Sequence, residues 1–139
     1  MKKKPVPASL TKVVNRDFDL QFRRHPSTGK LLMKKDDECV KQAIKNLILT
    51  DQYERPFRPY FGGNVRKRLF DLYTSMTRTD YQTLIETTIK NYEPRAILGN
   101  DSVSVVEYPD NNYLIITIRF RSAITLNDLQ LDVNLNRVR

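Results

Sequence analysis

Thiol and imidazole chemistry are almost absent from this chain: of 139 residues one is cysteine and one is histidine. Cys39 has no partner for an internal disulfide. Together with His25 it is too little for the thiolate and imidazole set of a structural zinc, so neither a metal nor a cofactor is expected. Cys39 reads as a small core residue. Long apolar runs are missing as well, none approaching the roughly 18–20 residues that cross a bilayer. Behind the basic start Lys2-Lys3-Lys4, the segment Pro5-Val6-Pro7-Ala8-Ser9 stands where a signal peptide needs an apolar stretch. The expectation is a chain made and kept in a cytosol, with no membrane partner. A phosphate-cradling glycine loop, a nucleophile elbow and a histidine to activate Cys39 or any serine are also lacking. Only carboxylate chemistry remains: Glu38, Glu86, Glu93, Asp101 and Glu107 are the candidates for a glycosidase pair. Such a pair needs a cleft and two environments that drive its pKa values apart. The residues announce neither, and no catalytic residue is assigned.

What is present in excess is positive charge. The net charge is +8 and the pI about 9.7, which invites a nucleic-acid reading because clustered Lys and Arg release counterions from phosphates. The excess crowds the first quarter of the chain, from Lys2 to Lys35, opposed there only by Asp17 and Asp19. A basic arm serves equally to dock on an acidic protein. With 29% charged and 40% hydrophobic residues in 16.3 kDa, the rest is sized for one folded domain with its own core. Residues 1–16, without periodicity, are expected to be a basic flexible arm and 17–139 a single domain.

Along the domain, Phe18, Leu20 and Phe22 alternate with Asp17, Asp19, Gln21 and Arg23, the period of a strand with one apolar face. His25-Pro26-Ser27-Thr28-Gly29 is turn chemistry and Lys30–Lys34 resumes a strand, so a β-hairpin is expected, with His25 a solvated loop residue. Asp36 and Asp37 offer N-caps to a helix over 37–50, with Val40, Ala43, Ile44, Leu47 and Ile48 inward and Lys41, Gln42, Lys45 and Asn46 wet. Arg55-Pro56-Phe57-Arg58-Pro59-Tyr60-Phe61-Gly62-Gly63 suits neither helix nor central strand. It is expected to be an ordered loop whose rings, Phe57, Tyr60 and Phe61, pack against the helices. Asn64 caps a second helix ending near Tyr73 or Thr74, with Val65, Leu69, Leu72 and Tyr73 on one side. Thr79-Asp80-Tyr81-Gln82 is a capping-box pattern for a third helix, on which Tyr81, Leu84, Ile85, Thr88, Ile89 and Tyr92 share a face.

That third helix stops at Asn91-Tyr92-Glu93-Pro94-Arg95, where proline forbids continuation and fixes the residue before it. Glu93 and Arg95 are expected to face a partner and to be buried only on assembly, so that Glu93→Ala should leave the isolated fold intact. Beyond lies a strand-rich third. Ser102–Tyr108 and Tyr113–Arg121 flank the turn Pro109–Asn112, with Leu114, Ile116, Ile118 and Phe120 on one face. A last strand then alternates Leu129, Leu131, Val133 and Leu135 with Gln130, Asp132, Asn134 and Asn136, and belongs at a sheet edge with unpaired backbone groups.

Three segments, in this order and spacing, closely resemble the small baseplate wedge protein of contractile-tailed phages. They are Ile44-Lys45-Asn46-Leu47-Ile48-Leu49-Thr50; Glu54 through Gly63 leading into Leu69-Phe70; and Asn91-Tyr92-Glu93-Pro94-Arg95. This is the sheath-initiator family, related to a baseplate component of type VI secretion systems, and the Leu-Asn-Arg-Val-Arg ending is similar too. The resemblance runs from about residue 18 to 139 and leaves the lysine-rich start outside. It implies a structural, non-enzymatic protein of the virion's tail baseplate, assembled in the host cytoplasm. The implied fold is α+β: an antiparallel sheet of the C-terminal hairpin plus the terminal strand, packed on about three helices, with an N-terminal β-hairpin. It further implies several copies around the tail hub, partnered by other wedge proteins and the tail sheath protein, with no nucleic acid. Glu93, Pro94 and Arg95 would dock on a helical core bundle of the wedge. The strand carrying Leu129, Leu131, Val133, Asn134 and Leu135 would template the first sheath ring. The ordered loop carries Arg55, Pro56, Phe57, Pro59, Phe61 and Gly62. A lysozyme-like label attached to the family keeps a peptidoglycan-cleaving glycosidase as the alternative, beside a basic nucleic-acid-binding module.

Overall fold

Period-two alternation in the C-terminal third builds the sheet on which the domain rests. The computed structural model describes residues 15–70, 78–108 and 113–136, the side chains of 68–70 and 107 excepted. Strand β5 (Tyr113–Ser122) lies centrally and buries Leu114, Ile116, Ile118 and Phe120. Antiparallel β4 (Val103–Tyr108) lies on one side, in register from Val103 opposite Ile118 to Tyr108 opposite Tyr113. On the other side β6 (Asp128–Asn136) runs from Asp128 opposite Arg121 to Asn136 opposite Tyr113. Short β3 (Ala96–Ile97) pairs with Ser122 and Arg121. Because Arg121 already faces Asp128 of β6, β3 must flank β5 on the β4 side. The sheet thus has two edges, β6 on one and the interrupted β3–β4 on the other. The turn expected over 109–112 lies outside the described residues.

Two amphipathic helices cover the inner face. Helix α1 (Asp37–Leu49) buries Val40, Ile44, Leu47 and Ile48, and helix α3 (Arg78–Tyr92) buries Tyr81, Ile85 and Ile89. Together with Leu114, Ile116, Ile118, Val133 and Leu135 they form one core, each large side chain contributing about 1.5–3 kcal/mol of burial. The outer faces carry surface pairs, Glu38 with Lys41 at 3.5 Å and Glu86 with Lys90 at 3.7 Å, worth about 0–1 kcal/mol each. Cys39 is buried, and burial pushes its thiol pKa up. The second helix, α2 (Val65–Phe70), begins where expected; its end and the side chains of Leu69, Leu72 and Tyr73 lie outside the described residues.

Several local expectations are corrected. The hairpin forms, but β1 (Arg16–Phe18) and β2 (Met33–Lys35) are short. A turn closed by the Phe22 N–H on the Asp19 carbonyl at 2.8 Å, with Phe22 at a left-handed φ of 51°, breaks the alternation after Phe18, and Phe18, Leu20 and Phe22 are exposed because no layer of the described residues covers them. His25 is exposed, in the turn closed by the Gly29 N–H on its carbonyl. Asp36 occupies the N-cap position of α1 without capping it; its Oδ1 accepts the Asn15 N–H at 3.1 Å, tying the start of the hairpin to the helix. Gln42, assigned to the wet face, is buried and donates to the Phe18 carbonyl at 2.8 Å, since the hairpin folds over that side of α1. Asn64 does not cap α2, its Oδ1 being buried without a partner. Thr79 and Gln82 form no capping box: the helix has already begun at Arg78 and the Gln82 amide reaches across to β4.

Asp37 does locate α1. Its carboxylate accepts from Thr125 Oγ1 at 2.7 and 2.8 Å and from Asn127 Nδ2 at 3.3 Å, fastening the helix start to the β5–β6 connection. Desolvation pushes its pKa up, but hydrogen bonds from Thr125, Ser122 and Asn127 outweigh that and hold it below the ordinary carboxylate value. A depressed folded-state pKa contributes stability above the unfolded value, near 4, that is lost as pH falls through the folded one. The melting temperature should therefore drop as acid is added below about pH 4, with a shallower drop in Asp37→Asn. Equal acid slopes in the two proteins would refute this role of Asp37.

Candidate assembly surfaces

The residues singled out in the sequence fall into three surfaces, two of them joined. At the exit of α3 the Glu93 N–H still donates to the Ile89 carbonyl, Pro94 turns the chain, and the Ala96 N–H closes back on the Glu93 carbonyl at 3.1 Å. This geometry places Arg95 Nε 2.6 Å from Glu93 Oε1 and Nη2 2.7 Å from Oε2, a bidentate ion pair. The pair is unequally buried, with side-chain exposures of 7% for Glu93 and 37% for Arg95. Glu93 is thus already internal in the single chain, against the expectation that both charges wait for a partner. Pro94 and the outer flank of Arg95 are what the turn presents. The Glu93 carboxylate raises the Arg95 pKa further, against desolvation, and the Arg95 carbonyl accepts the Ala123 N–H, linking the turn to the β5–β6 connection.

Tyr92, the residue before Glu93, joins this turn to the aromatic loop. Its hydroxyl donates to the Tyr60 carbonyl at 2.8 Å and its ring meets Phe61 edge-on at 5.1 Å. Phe61 packs against the core with the Arg55 guanidinium 4.3 Å above its ring. Gly62, at φ 118°, passes so close to α1 that a Cβ there would lie 2.3 Å from the Thr50 carbonyl oxygen. The loop is ordered, as expected, but its rings divide. Phe61 turns inward, whereas Phe57 is 97% exposed and Tyr60 68% exposed. The packing expected of the Phe57 and Tyr60 rings is overturned: α3 holds Tyr60 by its backbone carbonyl, which leaves its ring and that of Phe57 turned to solvent. Sequence reasoning missed the Tyr92 contact, whose only signal was an aromatic residue at the last helical position.

The third surface is the outer edge of β6. Leu129 and Leu131 are half-buried and Val133 and Leu135 buried, so the inward set is as expected. Residues opposite one another on antiparallel strands alternate between bonded and non-bonded pairs. Counting from the Ser122 N–H to Asn127 carbonyl bond, the bonded positions of β6 are Leu129, Leu131, Val133 and Leu135. Gln130, Asp132 and Asn134 therefore aim their N–H and C=O groups away from β5, and no partner meets them among the described residues. The same count on β4, from the Arg119 N–H to Ser102 carbonyl bond, turns the Val103 carbonyl outward, where it accepts from Gln82 Nε2 at 2.8 Å. One edge is thus capped in part by α3 and the other is open.

Among the described residues the carboxylates do not assemble a catalytic pair; the side chain of Glu107 lies outside them. Glu93 is committed to Arg95, and Glu38 and Glu86 to lysines. A cleft of about 310 Å³ holds Asp19 and Glu38, but Asp19 pairs with Arg23 at 2.8 Å. That hydrogen bond chiefly lowers its pKa, the opposite of what a general acid needs. A shallower groove of about 600 Å³ contains one carboxylate, Asp128.

An α+β domain with one open sheet edge and a protruding aromatic loop has the features of a component that binds neighbours in an assembly. The comparisons identify the assembly: the model of the baseplate wedge protein gp25 family matches residues 34–126, and the chain belongs to that family. It is 32% identical over 91 residues to baseplate wedge protein gp25 of Enterobacteria phage T4, a match covering 66% of this chain and 67% of that protein. The fold is similar to that of a putative tail lysozyme from Geobacter sulfurreducens, with a TM-score of 0.68 at 22% identity over 79% of this chain and 98% of the other. It is also similar to a chain of the anti-feeding prophage baseplate, with a TM-score of 0.57 at 20% identity over 88% and 85%. The family is one of structural baseplate components, and the tail-lysozyme likeness is one of fold alone.

Proposed function

We propose that this baseplate wedge protein docks on the wedge core through the Pro94–Arg95 turn and starts the tail sheath by offering the outer edge of β6 to a strand of the first sheath subunits. On this reading it sits in the virion's tail baseplate, in several copies around the hub and assembled in the host cytoplasm, and performs no catalysis. The observation that carries the reading is the open edge: outward N–H and C=O groups at Gln130, Asp132 and Asn134 are what strand addition requires, while alternating side chains set its register. Glu93 acts behind the docking turn by holding Arg95 in one orientation.

The test is Asn134→Pro beside Asn134→Ala. Proline deletes an outward N–H and leaves the inward set in place, and each ladder bond contributes about 0.5–1.5 kcal/mol net. The proline variant should join the wedge normally and leave tubes without sheath, whereas the alanine variant, which keeps the N–H, should assemble sheath normally. Sheath forming at the ordinary rate on baseplates of a folded Asn134→Pro protein would place the initiating surface elsewhere.

A further inference from the structure

The aromatic loop is a preformed shape, and among the described residues nothing covers its outermost ring. Its backbone is closed by the Tyr53 N–H on the Pro59 carbonyl at 2.6 Å, the Arg58 N–H on Arg55 at 3.1 Å and the Phe61 N–H on Arg58 at 3.0 Å. Tyr92 holds Tyr60 from α3, and the Gly63 N–H donates to the Leu47 carbonyl at the end of α1. On this braced frame Phe57 stands 97% exposed. A ring carried out into water on a braced backbone is the form a binding anchor takes, because only the side chain's own rotamer freedom is left to lose when it is buried. Between residues 55 and 63 the charged side chains are both arginines. Arg58 is exposed, and Arg55 lies over Phe61, whereas the carboxylate of Glu54 turns back to accept the Asp51 N–H at 3.0 Å.

We propose that this loop is a protein-docking tip: Phe57 enters an apolar socket on a neighbouring baseplate protein, and Arg58 pairs with carboxylates at the socket's rim. This rests on the baseplate reading above and adds a contact distinct from both the Pro94–Arg95 turn and the β6 edge. A central aromatic ring flanked by arginine is the composition of an interface hot spot. The prolines, and an outermost ring that stands apart from the edge-on pair of the exposed Tyr53 and Tyr60, favour a discrete socket over a nucleic-acid track, which repeats basic and stacking groups along its length.

The experiment uses the full chain and its Phe57→Ala, Phe57→Leu and Arg58→Glu variants. The probes are the cognate wedge proteins, each co-expressed and purified singly, with single-stranded oligothymidylate and anionic phospholipid vesicles as the other arms. Phe57→Ala should melt within about 2 °C of the parent, since the ring touches no core, yet bind one wedge protein at least about 30-fold more weakly. Phe57→Leu, which keeps most of the apolar volume, should lose less than about 10-fold. Arg58→Glu should lower affinity most at low salt. If Phe57→Ala binds every wedge protein as the parent does, or melts far below it, the tip proposal is overturned while the baseplate reading stands. Binding to the oligonucleotide or vesicles that vanishes in Phe57→Ala, with wedge binding unchanged, also overturns it. A parent chain that binds none of the wedge proteins defeats the baseplate reading and the tip together.

Discussion

Gly62→Ala should cost the fold about 3–5 kcal/mol, the sum of a strained backbone and a forced contact. At φ 118° the residue occupies a region that L side chains rarely adopt, and the added Cβ would lie 2.3 Å from the Thr50 oxygen and 3.0 Å from the Thr50 carbonyl carbon. Both are backbone atoms of the segment leaving α1, so no rotamer relieves the clash; either the loop lifts or the helix end unwinds. Gly29 is the internal control. Its φ is also positive, at 65°, but nothing lies within 4 Å of its Cβ position, so Gly29→Ala should cost only about 1–2 kcal/mol of left-handed strain. Urea unfolding of the two variants isolates the clash as their difference. If Gly62→Ala falls within about 1 kcal/mol of Gly29→Ala, the close passage at Thr50 is not a constraint on the loop.

That constraint was half legible. The two glycines and two prolines at 56–63 announce a loop with fixed angles, and the loop is there. Which of its rings turn inward was not legible, because apolar content alone does not say what lies opposite. Phe61 finds Tyr92 and the core, while Phe57 finds water. Gln42 failed for a related reason. Helical periodicity places it beside polar neighbours on α1, but the hairpin that buries it arrives from residues 15–18, outside any local window. Where a pattern is decided by its own element, as with Val40, Ile44 and Ile48 on α1 or Leu114 through Phe120 on β5, the sequence reading and the structure coincide. The same holds for the inward set of β6, because a one-residue slip would turn every leucine to solvent.

Glu93 and Arg95 follow the same logic, and removing them one at a time should be asymmetric. Arg95→Ala should destabilise the isolated chain by about 3–5 kcal/mol, because it strands a buried carboxylate whose partner had supplied both charge and two short hydrogen bonds. Glu93→Ala should cost less, about 1–3 kcal/mol, the range for a lost charge-assisted hydrogen bond, because Arg95 is 37% exposed and can turn to water. Docking should rank the two in the same order even per folded molecule, where a mere stability effect would leave no difference. Glu93→Ala leaves Pro94 and the guanidinium on the surface but unfixed, so wedge binding per folded molecule should weaken without vanishing. Arg95→Ala removes the presented charge, and binding should be lost even where the protein is fully folded. Chemical denaturation gives the two stabilities, and titration of each folded variant against the wedge core gives the affinities. Equal destabilisation by the two substitutions would contradict the unequal burial of the pair. A folded Arg95→Ala protein that still binds the wedge core as the parent does would remove this turn from the docking surface.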